Sequence, residues 1–326
     1  MEPDPDVQAK RDLTYGQFDL GSLSIFSGSF INFGYWGDLE PDREITVEER
    51  LESHAELYRQ VARTLELEPG NRLVELGCGM GVGAAQVVTE FDVLVTGIDR
   101  SAAQLERART VNAGAIKALD GALAFVQGSV TDLPWGDRSV DAVFSVEVLQ
   151  HVDDLAAVAR EAHRVLVPGG RIAIATFFAP DGADTAQIAD LLEPVATGVD
   201  IIRPVGDLAA DLTAAGFTDV AVESIGDHVW RQLDRWIAQT EFRISWARNY
   251  LRCYENGMLD YYVVTARREG LSLDSERSLS GPFAALVRCR CRDRNSHERR
   301  HPWMHRFAVG ARPGRLSGPA EWTRRL

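Results

Sequence analysis

From residue 73 onward, short apolar runs alternate with amphipathic stretches. The runs 73–76, 93–98, 123–127, 140–146 and 171–177 have the length and β-branched content of buried strands. Between them, 81–90, 101–113 and 153–166 carry helical spacing, with Ser101 and Asp153 as N-caps and Pro168-Gly169-Gly170 as a stop for the third helix. Such alternation predicts βαβ units joined by right-handed crossovers, hence an α/β fold around a doubly wound parallel sheet.

The pattern changes on both sides of this block. Ahead of it, a helix over 47–67 is predicted, opened by Thr46 and Glu49 at capping-box spacing, with Leu51, Tyr58, Val61 and Leu65 on one face. Residues 15–36 are rich in Phe, Tyr, Gly and Ser without a period, and we read them as a segment that packs over a ligand. Beyond Phe178 come loop residues with one helix over 185–192, a helix over 207–215 stopped by Gly216, and a strand over 219–224. An aromatic amphipathic stretch over 228–254 and a last strand over 258–265 follow. That stretch reads equally as a lid or as a buried core helix. The expected layout is an aromatic cap and helix over 1–68, the main domain over 69–268 with lid insertions near 180–204 and 228–254, and a tail over 269–326.

Composition narrows the possibilities. At 326 residues and 45% apolar content the chain can build a substantial core. No run of eighteen apolar residues occurs and residues 1–11 are acidic and polar, which predicts neither a membrane span nor a signal peptide and suggests a cytoplasmic protein. Cys78, Cys253, Cys289 and Cys291 are too scattered for a disulfide framework. The tail holds 12 Arg and no Lys against 6 acidic residues, so a net charge of −13 conceals a body near −19. That acidity argues against nucleic-acid binding and suits a cationic ligand, although it equally serves solubility. Cys289, Cys291, His297, His301 and His305 lack zinc-finger spacing, and no metal is expected.

The chemistry concentrates at a Gly-rich turn, Val74-Glu75-Leu76-Gly77-Cys78-Gly79-Met80-Gly81, where the first strand meets a helix. Glycine lets backbone approach a cofactor closely. Gly79-x-Gly81-x-x-Ala84, with Asp99 as a ribose acid, also satisfies the dinucleotide fingerprint, so the turn alone admits a nicotinamide cofactor. Its neighbours carry more information: Glu75 two residues before the first Gly, Gly128-Ser129-Val130-Thr131-Asp132 after strand three, Val146-Glu147-Val148-Leu149-Gln150-His151 after strand four, and Arg164-Val165-Leu166-Val167-Pro168-Gly169-Gly170 before strand five.

Together these motifs resemble the class I S-adenosylmethionine-dependent methyltransferases over Asn32 to about Arg267, in particular the small-molecule branch related to ubiquinone and menaquinone methyltransferases. Phe33-Gly34-Tyr35-Trp36 is similar to bacterial enzymes that methylate sugars, antibiotics and terpenoid precursors. The resemblance implies a Rossmann-like seven-stranded sheet whose last strand is antiparallel, with helical and aromatic lid insertions, and S-adenosyl-L-methionine as cofactor. It places Gly77, Gly79, Gly81 and Glu75 at the methionine moiety, Asp99 with Arg100 at the ribose, and Ser129 and Val130 at the adenine, where relatives have Asp before a small residue. Glu147 would bind cofactor or steer an amine. His151 is the candidate base, and Thr176 occupies the place where relatives can hold a carboxylate partner for it. Tyr35 and Tyr15 would close over the cofactor, and Trp230, Trp236, Trp246 and Tyr250 would form an aromatic wall for the acceptor. His54, His163 and His228 read as packing or surface residues.

The expected reaction is methylation of an O or N atom of a small-molecule metabolite. Methylation of an electron-rich carbon, a nicotinamide-dependent oxidoreductase and an inactive cofactor-binding scaffold are the alternatives. The expected partner is a small-molecule acceptor, with homo-oligomerisation left open.

Overall fold

Residues 5–37, 39 and 43–270 are described by the computed structural model. Its seven strands are β1 (Arg72–Leu76), β2 (Leu94–Asp99), β3 (Leu123–Gln127), β4 (Val140–Val146), β5 (Leu166–Phe178), β6 (Phe217–Ser224) and β7 (Asp260–Arg268). They form one sheet in the order β3-β2-β1-β4-β5-β7-β6. The first five strands run parallel, and β7 lies antiparallel between β5 and β6. The expected doubly wound sheet with an antiparallel last strand is therefore present. Central strands read as continuous apolar runs because helices cover both their faces: Leu73, Val74 and Leu76 of β1 and Ile172, Ala173 and Ile174 of β5 are all buried.

The helices are α1 (Pro5–Arg11), α2 (Val47–Thr64), α3 (Val82–Phe91), α4 (Ala102–Val111), α5 (Ala113–Ala118), α6 (Leu155–Val165), α7 (Ile188–Leu191), α8 (Glu193–Ala196), α9 (Val205–Ala214), α10 (Trp230–Ala238) and α11 (Asn249–Glu255). In α6, Leu155, Val158, Ala159, Ala162 and Val165 make an apolar stripe that enters the core with Leu208 and Leu212 of α9. At α2 both halves of the capping box form, Glu49 N–H to Thr46 Oγ1 at 3.2 Å and Thr46 N–H to Glu49 Oε2 at 2.9 Å.

Several boundaries differ from the pattern-based reading for local reasons. Asp154, not Asp153, caps α6 by accepting Ala157 N–H at 2.8 Å. That helix stops at Val165, and Pro168-Gly169-Gly170 forms an irregularity inside β5 between the Val140–Leu166 and Ala142–Arg171 pairings. The helix expected over 101–113 breaks at Asn112, whose amide donates to the Ala108 and Met80 carbonyls. The helix expected over 185–192 forms only as the short α7, ended by extended Leu192, and Pro194 opens a separate α8 beyond it. The aromatic stretch 228–254 is not one helix: Thr240 and Ser245 take backbone N–H groups of Phe242 and Ala247, ending one helix before the next begins. At the other end of the chain, α1 and a π-helical turn over Asp12–Gln17 occupy a segment in which no periodicity was legible.

Candidate active site

The chain reverses direction across the sheet between β1 and β4, and the carboxyl ends of those strands open a crevice, the usual ligand position in such sheets. The crevice is a cavity of about 500 Å³. Gly77–Gly81 after β1, Asp99 at the end of β2 with Arg100 after it, Ser129 and Val130 after β3, and Glu147 and His151 after β4 all line it.

Its floor is the Gly-rich turn. Gly77, Gly79 and Gly81 all have positive φ, at +68°, +50° and +67°. A Cβ on Gly77 would lie 2.4 Å from Val148 and one on Gly81 would lie 2.3 Å from Phe125, so these two glycines are demanded by packing. A Cβ on Gly79 would meet no protein atom and would project into open space beside the turn. Gly79 N–H donates to Asp99 Oδ2 at 3.0 Å and Ser101 N–H to Asp99 Oδ1 at 2.8 Å. Burial nonetheless holds the Asp99 carboxyl above its ordinary pKa. A carboxylate has about four lone-pair sites, so two remain for a ribose diol.

Two further carboxyls sit where β1 and β4 end: Glu147 lines the cavity, whereas Glu75, expected at the methionine moiety, is not among the residues that line it. Glu75 is 1% exposed; its Oε1 accepts Tyr58 O–H at 2.9 Å, while its Oε2 is buried without a partner among the described residues. Glu147 adopts φ +53° at the end of β4. Its Oε1 accepts Phe33 N–H at 2.5 Å and Tyr261 O–H at 2.9 Å, which leaves Oε2 for a ligand. Desolvation pushes both carboxyls up to about 8. An orphaned buried carboxylate oxygen, a second carboxyl with an open oxygen, a ribose-type acid and a glycine cradle fit the ammonium, sulfonium and ribose of S-adenosylmethionine.

At the acceptor side, His151 Nδ1 lies 2.9 Å from Asp200 Oδ1. That oxygen is off the N–H direction and has no aligned donor, whereas the Val199 carbonyl at 3.3 Å does accept from Nδ1. The nitrogen thus faces a carbonyl and a carboxylate together. Gln150 Nε2 donates to His151 Nε2 at 3.1 Å, and Thr176 Oγ1 donates to Gln150 Oε1 at 2.7 Å. Thr176 therefore reaches the histidine through Gln150, and the carboxylate beside it comes from a different element. Asp200 went unnoticed in the sequence because it lies in an insertion without period.

The structure explains how that insertion arrives there. Ala179 N–H bonds the Arg203 carbonyl at 2.8 Å and Val205 N–H bonds the Ala179 carbonyl at 2.9 Å, so the excursion leaves and returns at one point on the end of β5. Ile201 N–H to the Gln150 carbonyl at 2.8 Å and Arg203 to the Val152 and Asp153 carbonyls stitch it to the loop after β4.

The aromatic N-terminal segment does cover the cavity. Tyr15 stands 4.6 Å from the His151 ring, and Ser29, Phe30 and Ile31 also line the space. Burial, with Asp200 and Glu147 nearby, raises the Tyr15 pKa and keeps its hydroxyl protonated. Arg50, also missed, organises this segment: fully buried, it donates to the carbonyls of Ile25, Asn32 and Phe33 and lies 4.9 Å over the Trp36 ring. Desolvation lowers its pKa to about 9, leaving it charged at neutrality.

Other expected site residues lie elsewhere. Tyr35 stacks on His228 at 4.7 Å and borders a separate small pocket with Gln60 and Glu223, so it does not line the cavity. The expected wall of Trp230, Trp236, Trp246 and Tyr250 is also corrected, since none of the four lines the cavity. Trp230 is fully buried and stacks on Tyr250 at 5.5 Å; Trp236 is buried and donates to the Ser24 carbonyl; Trp246 lies 6.2 Å from Tyr250. Tyr250 does reach Asp200, at 3.4 Å through its hydroxyl. Ser129 pairs with Thr131 Oγ1 at 2.7 Å, so its hydroxyl is engaged within its own loop. Asp132 does not line the cavity. His54 is buried against Asn32, a packing role. The candidate zinc ligands of the tail lie outside the described residues. Among the described residues no cluster suited to a metal ion occurs, and no helix is long and apolar enough to cross a membrane.

Residues 74–174 match a family model described as a methyltransferase domain. The chain is 32% identical to the 27-O-demethylrifamycin SV methyltransferase of Amycolatopsis mediterranei, over 74% of this chain and 90% of that protein. It is 28% identical to the erythromycin 3''-O-methyltransferase of Saccharopolyspora erythraea, over 79% of this chain and 90% of the relative. Among solved structures, the geranyl diphosphate C-methyltransferase of Streptomyces coelicolor A3(2) superposes with a TM-score of 0.68 at 16% identity, over 82% of this chain and all of the other. That likeness speaks for the fold.

Proposed function

Since this chain belongs to the S-adenosylmethionine-dependent methyltransferases, we propose that it methylates a hydroxyl oxygen of a small natural-product metabolite, with His151 as the base. The observation that carries the reading is the buried carboxylate of Asp200, 2.9 Å from Nδ1 of His151, which itself lines the cofactor cavity. The names of both relatives support oxygen as the acceptor atom and a natural product as its carrier.

Glu75, Gly77, Gly79 and Gly81 would hold the methionine end of the cofactor, Asp99 and Arg100 the ribose, and Val130 the adenine face. When bound, S-adenosylmethionine supplies the methyl carbon as an electrophile and departs as a neutral thioether. The chain has to align the acceptor and remove its proton. Gln150 donates to His151 Nε2, and an acceptor hydroxyl can take that place as donor. As the O–H bond breaks its proton passes to Nε2, and Asp200 stabilises the imidazolium across the ring, as in other His and carboxylate pairs. Phe30, Ile31, Val146 and Val148 keep the site apolar, and Glu147 would face the cationic end of the cofactor. The scattered, free Cys78 and Cys253 accord with a cytoplasmic location.

The test is incubation of the protein with methyl-deuterated S-adenosylmethionine and a metabolite extract, followed by mass spectrometry and NMR of labelled products. Label on an ether oxygen is expected; label on carbon alone would overturn the reading.

A further inference from the structure

The covering segment and the base are joined through one carbonyl. Arg11, the last residue of α1, is 5% exposed although it lies close to the start of the chain. Its Nε donates to the Val199 carbonyl at 3.2 Å, its Nη2 to the Gly198 carbonyl at 3.2 Å, and its Nη1 to Asp153 Oδ2 at 2.8 Å. The Val199 carbonyl is also the acceptor of His151 Nδ1, and the next residue is Asp200. A carbonyl has two lone pairs, and here one serves the cover and the other the base. The fit is reinforced at Gly198, which has φ +75° and on which a Cβ would lie 3.1 Å from Val7 of α1.

We propose that Arg11 is a positioning residue: by gripping the Gly198 and Val199 carbonyls when α1 lies over the cavity, it sets Val199 and Asp200 against His151, so the cover closes and the base is assembled in one event. This rests on the reading of His151 as the base. The planar guanidinium suits the task, because its donors diverge in fixed directions toward two successive carbonyls and one carboxylate. Lysine, with a compact ammonium, cannot hold all three in that geometry. The same α1 that shields the cavity thereby leads into the turn that brings Tyr15 to the His151 ring. With the cover lifted, Val199 loses its charged donor and the insertion loses its anchor to α1, so Nδ1 is no longer bound to a single tautomer.

The experiment needs no identified acceptor. Ring nitrogens of His151 are observed by long-range proton–nitrogen NMR in the full-length protein saturated with S-adenosylhomocysteine, for wild type, Arg11→Ala, Arg11→Lys and Val7→Asp. Hydrogen exchange reports residues 5–17 in the same samples. Wild type should show His151 protonated at Nδ1. Arg11→Ala should lose exchange protection over residues 5–17, and its two ring-nitrogen resonances should move toward each other as the tautomers mix. Arg11→Lys should restore part of both. Val7→Asp, which lifts α1 without altering Arg11, should reproduce the shift and also serves if Arg11→Ala does not fold. Release of the segment with unchanged His151 resonances would overturn the coupling, as would retained protection in Arg11→Ala. Turnover by His151→Ala, measured separately on the acceptor found by labelling, tests the base itself, so failure of the coupling and failure of the base are told apart.

Discussion

Gly79 and Gly81 have the same backbone sign but answer to different neighbours. At Gly81 an alanine would combine left-handed strain with a Cβ 2.3 Å from the Phe125 ring, and Gly81→Ala should cost about 3 kcal/mol in chemical denaturation. At Gly79 the Cβ meets nothing in the protein, so Gly79→Ala should cost only about 1 kcal/mol while cofactor binding by calorimetry falls sharply. Unchanged cofactor affinity in Gly79→Ala would mean that the space beside Gly79 is not the cofactor's. Residues of this kind were legible in the sequence because their role is local: a glycine turn follows a strand, and Asp99 ends the next one. Asp200 and Arg11 were not, because their significance is contact with His151 and Val199 across long chain separations, with no period or motif to announce it. Tyr35 misled for the opposite reason. It sits in a recognisable motif, yet its neighbour Phe33 is the residue that donates its N–H to Glu147, while Tyr35 packs toward His228.

At the scale of elements, the parallel strands and their helices were readable to within a few residues, since two-sided burial writes an apolar run and α6 writes its stripe at helical spacing. The aromatic stretch was not readable in the same way. Its rings are close to helical spacing, but Thr240 and Ser245 break the backbone, and the rings pack on one another through the stacked Trp230 and Tyr250. The irregular segment over residues 25–36 has no ladder of its own and is held largely by side chains: Arg50 takes three of its carbonyls, while His54 and Glu147 bond Ser27, Asn32 and Phe33. Arg50→Met would leave the Ile25, Asn32 and Phe33 carbonyls without that donor, and it should destabilise the protein by about 3 kcal/mol. Hydrogen exchange should show the loss concentrated in residues 25–36. Loss spread evenly over β1–β5 would instead make Arg50 a general core residue.

For the molecule as a whole, Glu147 at the cavity and Glu75, buried on β1, should make both stability and cofactor affinity depend on pH. Folding raises the pKa of Glu75 and of Glu147 from 4.5 to about 8, so the folded state holds protons that the unfolded state has released. Their contribution to stability is fully present below pH 4.5 and is lost as pH rises through 8. The ligand-free protein should therefore melt at a lower temperature at pH 9 than at pH 6 through these two groups. A cationic cofactor prefers the ionised carboxyls, so S-adenosylmethionine should bind more tightly as pH rises toward 8, with proton release that calorimetry in buffers of different ionisation heat will read. Affinity that falls over that range would place neither carboxyl at the cofactor.

The central claim is that this methyltransferase removes an acceptor proton with His151, supported by a carboxylate that the insertion after β5 delivers. Its most direct test is single-turnover methyl transfer to the acceptor found by labelling, in wild type, His151→Ala and Asp200→Asn at saturating cofactor. His151→Ala should lose about a hundredfold or more in rate and Asp200→Asn about tenfold or more, with cofactor affinity kept in both. Wild-type rates in His151→Ala would contradict that claim.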